Sequence, residues 1–414
     1  MVSGGDRTCR DLAQENSCLS SAATSQDLTV QSSCATVELI EAIADEWREL
    51  CHEGPCDQPF FRPEWITAAI TAFVPKHRLL LITVRDGGRL RAILPLLEEK
   101  TSLLGFPFTR LRGAAIAQHS GRFDLVHGNG PDAQAIVRVM WEHLKALPAW
   151  DVVELPIVAQ GAVAEQLFSV AEDDGFSTSQ YEHRLSPYLV LDRNRGGADS
   201  SHFAANGHFR QNLRRRWRKL EARGPLSLRR VDKADEEALQ RFYDLEQRGW
   251  KGKKGTAITC STETRRFYDS VAQRAERFGY LSLYFLEQGS SLIAAQFGLT
   301  CGGRYFPLKV AYEEDYAEYG PGHLITWAIV RDCVQRGLSE LDFLGQWAEW
   351  KAEWTSEVRR HSSCYIFRNN LAGRLLEANT RQRHRLQAGI RKAMSITHAF
   401  RSSFGRKRWR LFRP

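Results

Sequence analysis

The sequence predicts an α/β fold with a mixed α+β sheet, arranged as two tandem copies of one unit between a flexible N-terminal tail and a basic C-terminal tail. Its 414 residues are enough for two domains, each with its own core. Segments with helical spacing of apolar residues alternate with short strand-like segments. Two hairpins also share six residues in the same order and spacing. The matching residues are Leu79, Leu81, Gly87, Leu90, Ala92 and Leu97 in the first hairpin and Leu281, Leu283, Gly289, Leu292, Ala294 and Leu299 in the second.

The chain divides into four segments. Residues 1–35 are rich in small polar residues without periodicity, so we expect them to be disordered. A first domain covers residues 36–195, and a polar, glycine-containing linker leads to a second domain at residues 200–365. Residues 366–414 form the basic tail.

In the first domain, the spacing of apolar residues predicts four helices, and the first of them is an amphipathic helix before Pro55. The dipeptide Asp86-Gly87 predicts the turn of a hairpin, because both residues favour tight hairpin turns. A buried strand and a further extended segment follow. The predicted helices cover residues 37–50, 63–73, 133–147 and 162–175, and the buried strand covers residues 151–156.

The second domain is predicted to begin with an arginine-rich helix at residues 208–224. Three antiparallel strands follow two further helices, with turns at Gln288-Gly289 and Gly302-Gly303. The turn from Gly320 to Gly322 then starts another helix, because Pro321 suits the first helical position. A last strand leads through Asp342 to Gly345.

Composition limits the class of protein. No apolar segment approaches the roughly 20 residues that cross a membrane, and the start has no signal-peptide core, so we expect a cytoplasmic protein. The nine cysteines form no C-x-x-C pair and have no zinc-like spacing with histidines, and we expect no metal.

Charge is concentrated at the end of the chain. Residues 371–414 contain twelve Arg or Lys and one acidic residue, Glu377, a balance of +11. Subtracting this from the net charge of +8 leaves −3 for the rest of the chain. This distribution argues against a body that binds nucleic acid over a wide surface. The tail could instead lie peripherally on the inner face of an anionic membrane or contact a polysaccharide synthase, and a solvated tail is the alternative.

The second domain resembles the GNAT acyltransferase superfamily, in the cellulose-biosynthesis branch of the CelD type, which is related to FemAB transferases. An ordered series of residues over about 100 positions carries the resemblance. It consists of Trp250-Lys251-Gly252, Gly255-Thr256-Ala257, Phe267-Tyr268, Ile293-Ala294-Ala295, Lys309, Ala311-Tyr312, Tyr316, Pro321-Gly322, Asp342-Phe343-Leu344-Gly345, Lys351 and Trp354. The first domain resembles the N-terminal half of the same proteins through Phe61, Pro63, Trp65, Asp86-Gly87 and Leu94-Pro95-Leu96.

The resemblance implies an acyltransferase that uses acyl-CoA, such as acetyl-CoA, as cosubstrate. It places the CoA pyrophosphate on backbone N–H groups at the start of a helix, here at Gly320, Gly322, His323 and Leu324. Here Ala317 replaces the Gln or Arg of the family pattern and Pro321 removes one N–H donor. We therefore expect this turn to hold pyrophosphate less tightly than the full pattern does.

Acyl transfer to an amine or hydroxyl needs a base, an acid and donors for the developing oxyanion. Tyr312, at the end of a strand beside the turn, is the candidate acid or oxyanion donor. Asp342 lies on an apolar strand, where burial would raise its pKa toward that of a base. A structural hydrogen-bond acceptor is the alternative role for Asp342. His119, Ser120 and Asp124 have the composition of a hydrolase triad, but residues so close on an extended segment cannot converge.

Four further residues are candidates for binding an anionic or glycan-related substrate. Lys251 and Lys351 each follow a tryptophan, and Lys309 lies on the strand that ends at Tyr312. Trp250 completes the set. The alternative for these lysines is a solvated surface position.

Three functions remain open from sequence. The first is acyl transfer to a small molecule or glycan-related acceptor in cellulose or exopolysaccharide production. The second is a non-catalytic module that binds a membrane polysaccharide synthase. The third is FemAB-like aminoacyl transfer from tRNA, which the arginine-rich helix supports.

Overall fold

The computed structural model describes residues 28–54, 57–73, 78–115, 119, 122–128, 133–148, 150–191 and 207–408, with the backbone alone from residue 390 onward. The first half of the chain supplies seven strands and five helices within these residues. They are β1 (Leu28–Cys34), α1 (Val37–Ala42), α2 (Ala44–Glu53), α3 (Pro63–Phe73), β2 (Arg78–Asp86), β3 (Arg89–Leu103), β4 (Phe106–Gly113), β5 (Val126–His127), α4 (Ala133–Ala146), β6 (Val152–Ala159), α5 (Val163–Asp173) and β7 (Ser177–Val190).

The second half supplies the remaining elements in the described part of the chain. They are α6 (Gly207–Glu221), β8 (Leu226–Val231), α7 (Glu236–Arg248), α8 (Trp250–Lys253), α9 (Thr262–Arg277), β9 (Leu281–Gln288), β10 (Ser291–Cys301), β11 (Arg304–Tyr312), α10 (Pro321–Gln335), β12 (Glu340–Asp342), α11 (Glu349–Ala352), β13 (Val358–Phe367) and α12 (Leu371–Arg408). Short 3₁₀ helices lie at Pro59–Phe61, Ile258–Cys260 and Glu314–Tyr319.

All described strands join one mixed sheet, in the order β1-β2-β3-β4-β6-β13-β7-β12-β11-β10-β9-β8, with β5 paired to β3. Each half contains one parallel pair, β4 with β6 and β11 with β12, and a helix connects the two strands of each pair. The remaining ladders are antiparallel. The same strand–helix–strand crossover therefore occurs twice, which confirms the predicted mixed α/β class and its tandem arrangement.

The sequence assigned residues up to 365 to the second domain and predicted no strand after Gly345. Residues 358–367 nevertheless form β13, which lies in the sheet of the first unit. It pairs antiparallel with β6 on one side and β7 on the other. Strand β7 in turn pairs with β12, at Tyr188 and Asp342. The two units are thus joined by continuous strand pairing. Strand β13, which follows the second unit in sequence, completes the sheet of the first unit. A sequence boundary between domains cannot show such an exchange, because β13 is an ordinary strand in composition.

The expectation of a disordered segment up to residue 35 is wrong for residues 28–34. These residues form β1, which pairs with β2 at the edge of the sheet. Its sequence, LTVQSSC, has few apolar residues, and the stability of the strand comes from backbone pairing and partial burial of alternate side chains. Residues 1–27 lie outside the described part of the chain.

One apolar core extends across both units on one face of the sheet. Trp65 of α3 packs edge-on against Phe267 of α9, with ring centroids 5.0 Å apart. Phe60 makes a similar contact with Phe306 on β11 at 5.7 Å. These aromatic contacts bury large apolar surfaces at the junction and so fix the first unit against the second. Among the described residues, no helix is long and apolar enough to cross a membrane.

Candidate active site

A cleft of about 630 Å³ lies where β11, α8, α10 and the β12–α11 connection meet. Eight of the ten residues that the sequence singled out line it. They are Trp250, Lys251, Lys309, Tyr312, Gly320, Gly322, His323 and Lys351. Leu324 and Asp342 are the two that lie elsewhere. The topology explains the convergence, since β11 leads into the turn before α10 and β12 returns beside β11.

The turn at Gly320 forms one wall of the cleft. Gly320 adopts a left-handed conformation with φ of 64°, which costs glycine little and other residues more. Its own N–H donates to the Ala317 carbonyl at 3.0 Å. Its carbonyl accepts from the N–H groups of His323, at 3.0 Å, and Leu324, at 3.2 Å. Within the described chain, the N–H of Gly322 is the donor of this turn that remains for a ligand, because Pro321 has none.

The basic helix α6 lies over the same turn. A Cβ added to Gly320 would be 2.6 Å from a terminal nitrogen of Arg216, so the guanidinium covers the glycine. Lys219 pairs with Glu318 at 3.1 Å, which compensates the acidic charge beside the turn. Arg223 donates to the Tyr319 hydroxyl at 3.1 Å. Arg216 is therefore the basic residue of α6 that lies directly against Gly320.

His323 lies at the floor of the cleft among aromatic rings. Its ring is 5.3 Å from Phe209 and 6.2 Å from Trp354, centroid to centroid. Burial, together with the charge of Arg216, lowers the pKa of His323, so the imidazole is neutral near pH 7. Leu324, predicted to bind cofactor, is instead fully buried in the core, and its N–H already bonds Gly320. Leu324 therefore does not bind the cofactor, contrary to the expectation from sequence.

Two lysines approach the cleft from the same side but differ in their partners. Lys251 donates to the carboxylate of the buried Glu246 at 2.7 Å and to the Val310 carbonyl at 2.8 Å. Lys309 lies over the ring of Tyr268, with its nitrogen 5.6 Å from the centroid. Burial and the neighbouring charge of Lys251 lower the pKa of Lys309. Trp250 is 43% exposed and borders the opening.

Lys351 is buried, so the alternative of a solvated surface position does not hold for this lysine. Its ammonium nitrogen lies 2.6 Å from the Leu344 carbonyl and 2.9 Å from the Gln346 carbonyl. Burial lowers the pKa of Lys351 to about 8, with Asp342 opposing the shift and Arg184 adding to it. A neutral amine has two N–H donors, and both carbonyls can accept them.

Asp342 does not line the cleft, and the expectation of a free catalytic carboxylate is corrected. Its side chain is fully buried and forms ion pairs with Arg122 and Arg359, the latter at 2.9 Å. It also accepts the N–H of Leu344 at 2.9 Å, where the backbone takes a left-handed φ of 54°. Asp342 therefore holds the turn whose Leu344 carbonyl contacts Lys351. This is the structural hydrogen-bond role.

Sequence reasoning missed three residues of the cleft, His119, Tyr268 and Arg184, as members of one site. His119 stacks on Phe73 at 5.1 Å, and its Nδ1 lies 3.4 Å from the Tyr268 hydroxyl. Burial lowers the pKa of His119 to about 4, with the charge of Lys309 adding to the effect. The sequence contained a signal for Tyr268, because the Phe267-Tyr268 pair belongs to the residue series that carries the family resemblance. His119 and Arg184 come from the first unit, and no local pattern connects them to β11.

The lining of the cleft is cationic. Arg184, Lys251, Lys309 and Lys351 contribute to it, and no carboxylate of the described residues does. Hydroxyl and imidazole groups come from Tyr312, Tyr268, His119 and His323. Such a site suits an anionic ligand and proton transfer by nitrogen or phenol groups.

Residues 207–352 match the acetyltransferase (GNAT) domain family. No curated protein matches this sequence. The match covers roughly a third of the chain, and it contains all eight cleft residues named from the sequence. The chain therefore carries an acyltransferase domain of the GNAT type.

Solved structures show similarity over about four fifths of this chain. FemX shares 12% identity at a TM-score of 0.55, over 81% of this chain and 97% of FemX. The C-terminal DUF2156 domain of a putative lysylphosphatidylglycerol synthetase from Agrobacterium fabrum shares 10% identity at 0.48, over 82% and 96%. A tandem GNAT protein from the clavulanic acid biosynthesis pathway shares 13% identity at 0.44, over 82% and 98%. FemX thus shares the fold.

Proposed function

We propose that this protein transfers an acyl group from an acyl-CoA, acetyl-CoA being the simplest donor, to an amine or hydroxyl acceptor. The observation that carries this proposal is the single cleft beside the Gly320 turn, in which eight residues selected from sequence lie together. The acetyltransferase (GNAT) match covers the same residues.

The residues around the turn fit a phosphate group of the donor. Gly322 offers a backbone N–H, Arg216 offers a guanidinium, and α10 directs the positive end of its dipole at the same place. The donor supplies a thioester, whose acyl carbon is the electrophile. One N–H and one guanidinium are fewer donors than a full pyrophosphate loop provides, so we expect modest donor affinity.

Lys351 is the proposed general base. Its pKa of about 8 lies close to working pH, where a base combines availability with proton affinity. The Leu344 and Gln346 carbonyls orient the amine by accepting two of its hydrogens. The neutral amine takes the proton of the acceptor, and the resulting ammonium keeps the same two hydrogen bonds. No cysteine or serine nucleophile is needed when the acceptor attacks directly.

Tyr312 is the proposed acid or oxyanion donor. It lies at the end of β11, and its ring is close to Gly322, whose added Cβ would be 3.8 Å from it. A phenol O–H next to the donor turn can donate to the oxygen on which charge develops, or protonate the CoA thiolate that leaves when the acyl C–S bond breaks. Asp342 does not contact the substrate in this proposal. It is a positioning residue, because it holds Leu344, whose carbonyl accepts a hydrogen bond from Lys351.

The proposed acceptor is a glycan-related molecule of cellulose or exopolysaccharide production. Support comes from the CelD-like residue series between Trp250 and Trp354. A non-catalytic module that binds a membrane polysaccharide synthase is the alternative from a different class. It predicts no turnover with any donor.

Aminoacyl transfer from tRNA is a second candidate, supported by the exposed basic residues of α6. Arg215, Arg218 and Lys219 are exposed beside the turn that Arg216 covers. Phosphates of a nucleic acid could lie along this face. In that case tRNA binding falls steeply with salt, whereas CoA binding does not need these exposed side chains.

The tail helix α12 is proposed to contact an anionic membrane from the inner face. Its inward side is buried at Gly373, Leu376 and His384, and the His384 ring stacks on Tyr181 at 3.9 Å. The opposite side carries exposed leucines flanked by arginines. The leucines are Leu371, Leu375 and Leu386, and the arginines are Arg374, Arg383 and Arg385. An apolar stripe between basic residues suits the interface of an anionic bilayer.

Titration of the purified protein with acetyl-CoA, longer acyl-CoAs and tRNA separates these functions. We expect micromolar binding of an acyl-CoA that Arg216→Gln weakens. Binding of tRNA alone would favour the second candidate. If neither binds while a polysaccharide synthase subunit does, the enzyme proposal fails.

A further inference from the structure

Two cations of the cleft, Arg184 on β7 and Lys309 on β11, form no ion pair with any residue that the structure describes. Neither side chain forms a hydrogen bond or ion pair with a described residue, although both are partly buried. The other two cations of the lining differ. Lys251 pairs with Glu246 at 2.7 Å, and Lys351 donates to two backbone carbonyls.

The surroundings of both groups oppose their positive charge. Burial and the charge of Arg122 lower the pKa of Arg184. Burial and the charge of Lys251 lower the pKa of Lys309, and the charge of Glu246 opposes this shift only in part. Removing a cation from water without a partner costs free energy, which a protein tolerates where a ligand supplies the partner. No carboxylate of the described residues lines the cleft, so an anionic ligand could supply that partner.

The donor turn does not account for these two cations. The proposed donor site uses Gly322 and Arg216, on α10 and α6, whereas Arg184 and Lys309 lie on strands β7 and β11. His119 and Tyr268, which contact each other at 3.4 Å, also line this strand side of the cleft. The strand side is where an acceptor would enter next to Lys351.

We infer that the strand side of the cleft binds an anionic group of the acceptor, a carboxylate or a phosphate, through Arg184 and Lys309. The planar guanidinium suits the two oxygens of either group, and the ammonium adds a second point of charge. The assignment of this anion to the acceptor rests on the proposed acyl transfer. The anion site itself does not.

The first test removes the charges in buffer without phosphate or carboxylate. Arg184→Met and Lys309→Met should each raise the midpoint of thermal unfolding by a few degrees, because a partly buried charge without an ion-pair partner is lost. Lys219→Met is the control, since Lys219 is exposed and paired with Glu318, and the unfolding midpoint of this variant should not rise. An unfolding midpoint that falls in both cleft variants would contradict the lack of an ion-pair partner.

The second test measures binding of three sugars by calorimetry, namely glucuronate, glucose 6-phosphate and neutral glucose. At least one anionic sugar should bind, and glucose should bind at least tenfold more weakly. Arg184→Met and Lys309→Met should each cost tenfold or more in affinity for that anion. Preference for glucuronate identifies a carboxylate and preference for the phosphate identifies a phosphate. Failure of both anions to bind better than glucose, or unchanged affinity in the variants, overturns the inference.

A parallel titration with acetyl-CoA keeps the two proposals apart. The Arg184 and Lys309 variants should retain donor binding, whereas Arg216→Gln should lose it. If the protein binds an anionic sugar but not CoA, the inferred anion site stands and the proposal that acyl-CoA is the donor fails. Loss of CoA binding in the Arg184 and Lys309 variants would instead assign these cations to the donor and overturn the inference.

Discussion

Arg122 of the first unit and Asp342 of the second form an ion pair in which the side chains are 2% and 0% exposed. Arg122 also donates to Gln58 at 3.0 Å and to the His361 ring at 3.1 Å. Asp342 in turn accepts from Arg359 at 2.9 Å. The pair thus connects both units and β13 in one buried polar network.

Substitution of Asp342 with Asn should destabilise the protein. It leaves Arg122 buried without a compensating charge, and breaking a buried pair costs about 3–5 kcal/mol. Urea unfolding measures the loss. Glu182→Gln, which breaks an exposed pair with Arg360, is the control and should cost less than about 1 kcal/mol. An Asp342→Asn protein as stable as the original would contradict this structural role.

The rate of transfer should depend on the protonation of Lys351. Below its pKa of about 8 the amine is protonated and cannot act as a base, so kcat/KM should fall tenfold per pH unit toward acid and level off above pH 8. Lys351→Met should lose about 100-fold or more in kcat. Lys351→Arg keeps the charge but cannot lose its proton near neutral pH, so it should be equally slow. An active arginine variant would exclude the base role.

The turn at Gly320 should be more sensitive to alanine than its backbone strain alone predicts. Gly320→Ala and Gly289→Ala both place alanine at positive φ, 64° and 59°, at a cost of about 1–2 kcal/mol each. Gly289 has open space around it, whereas the new methyl group at Gly320 displaces Arg216. Only Gly320→Ala should therefore lose acetyl-CoA affinity, measured by calorimetry. Equal affinity in both variants would separate the turn from the donor.

Vesicle binding should depend on the outward side of α12. Replacing Arg374, Arg383 and Arg385 by Gln should weaken binding to phosphatidylserine vesicles on the order of a hundredfold, at roughly 1 kcal/mol per basic residue. Sedimentation with vesicles measures this. Neutral phosphatidylcholine vesicles are the control and should bind weakly in every case. Unchanged binding of the triple variant to anionic vesicles would refute the membrane contact.

Local sequence signals predicted the strands of the second unit and much of its site. Gln288-Gly289 and Gly302-Gly303 marked the turns between β9, β10 and β11, because glycine is favoured where φ is positive. The ordered series from Trp250 to Lys351 named residues that share one cleft. Each of these signals is contained within a few residues or within one domain.

The errors came from contacts between distant parts of the chain. Asp342 reads as a lone carboxylate on an apolar strand, and its partner Arg122 lies 220 positions away. His119 and Arg184 belong to the first unit and reach the cleft through the packing of the two units. Strand β1 was missed because backbone pairing with β2, rather than apolar side chains, accounts for it.

The position of β13 has a consequence for synthesis. Strands β6 and β7 have no direct ladder with each other, since β13 lies between them. During translation the first half leaves the ribosome with these two strand edges unpaired until residue 367 has emerged. Exposed strand edges promote aggregation, and long-range pairing slows folding. We therefore expect the nascent first half to need protection by a chaperone, and the closing step of folding to await the synthesis of β13.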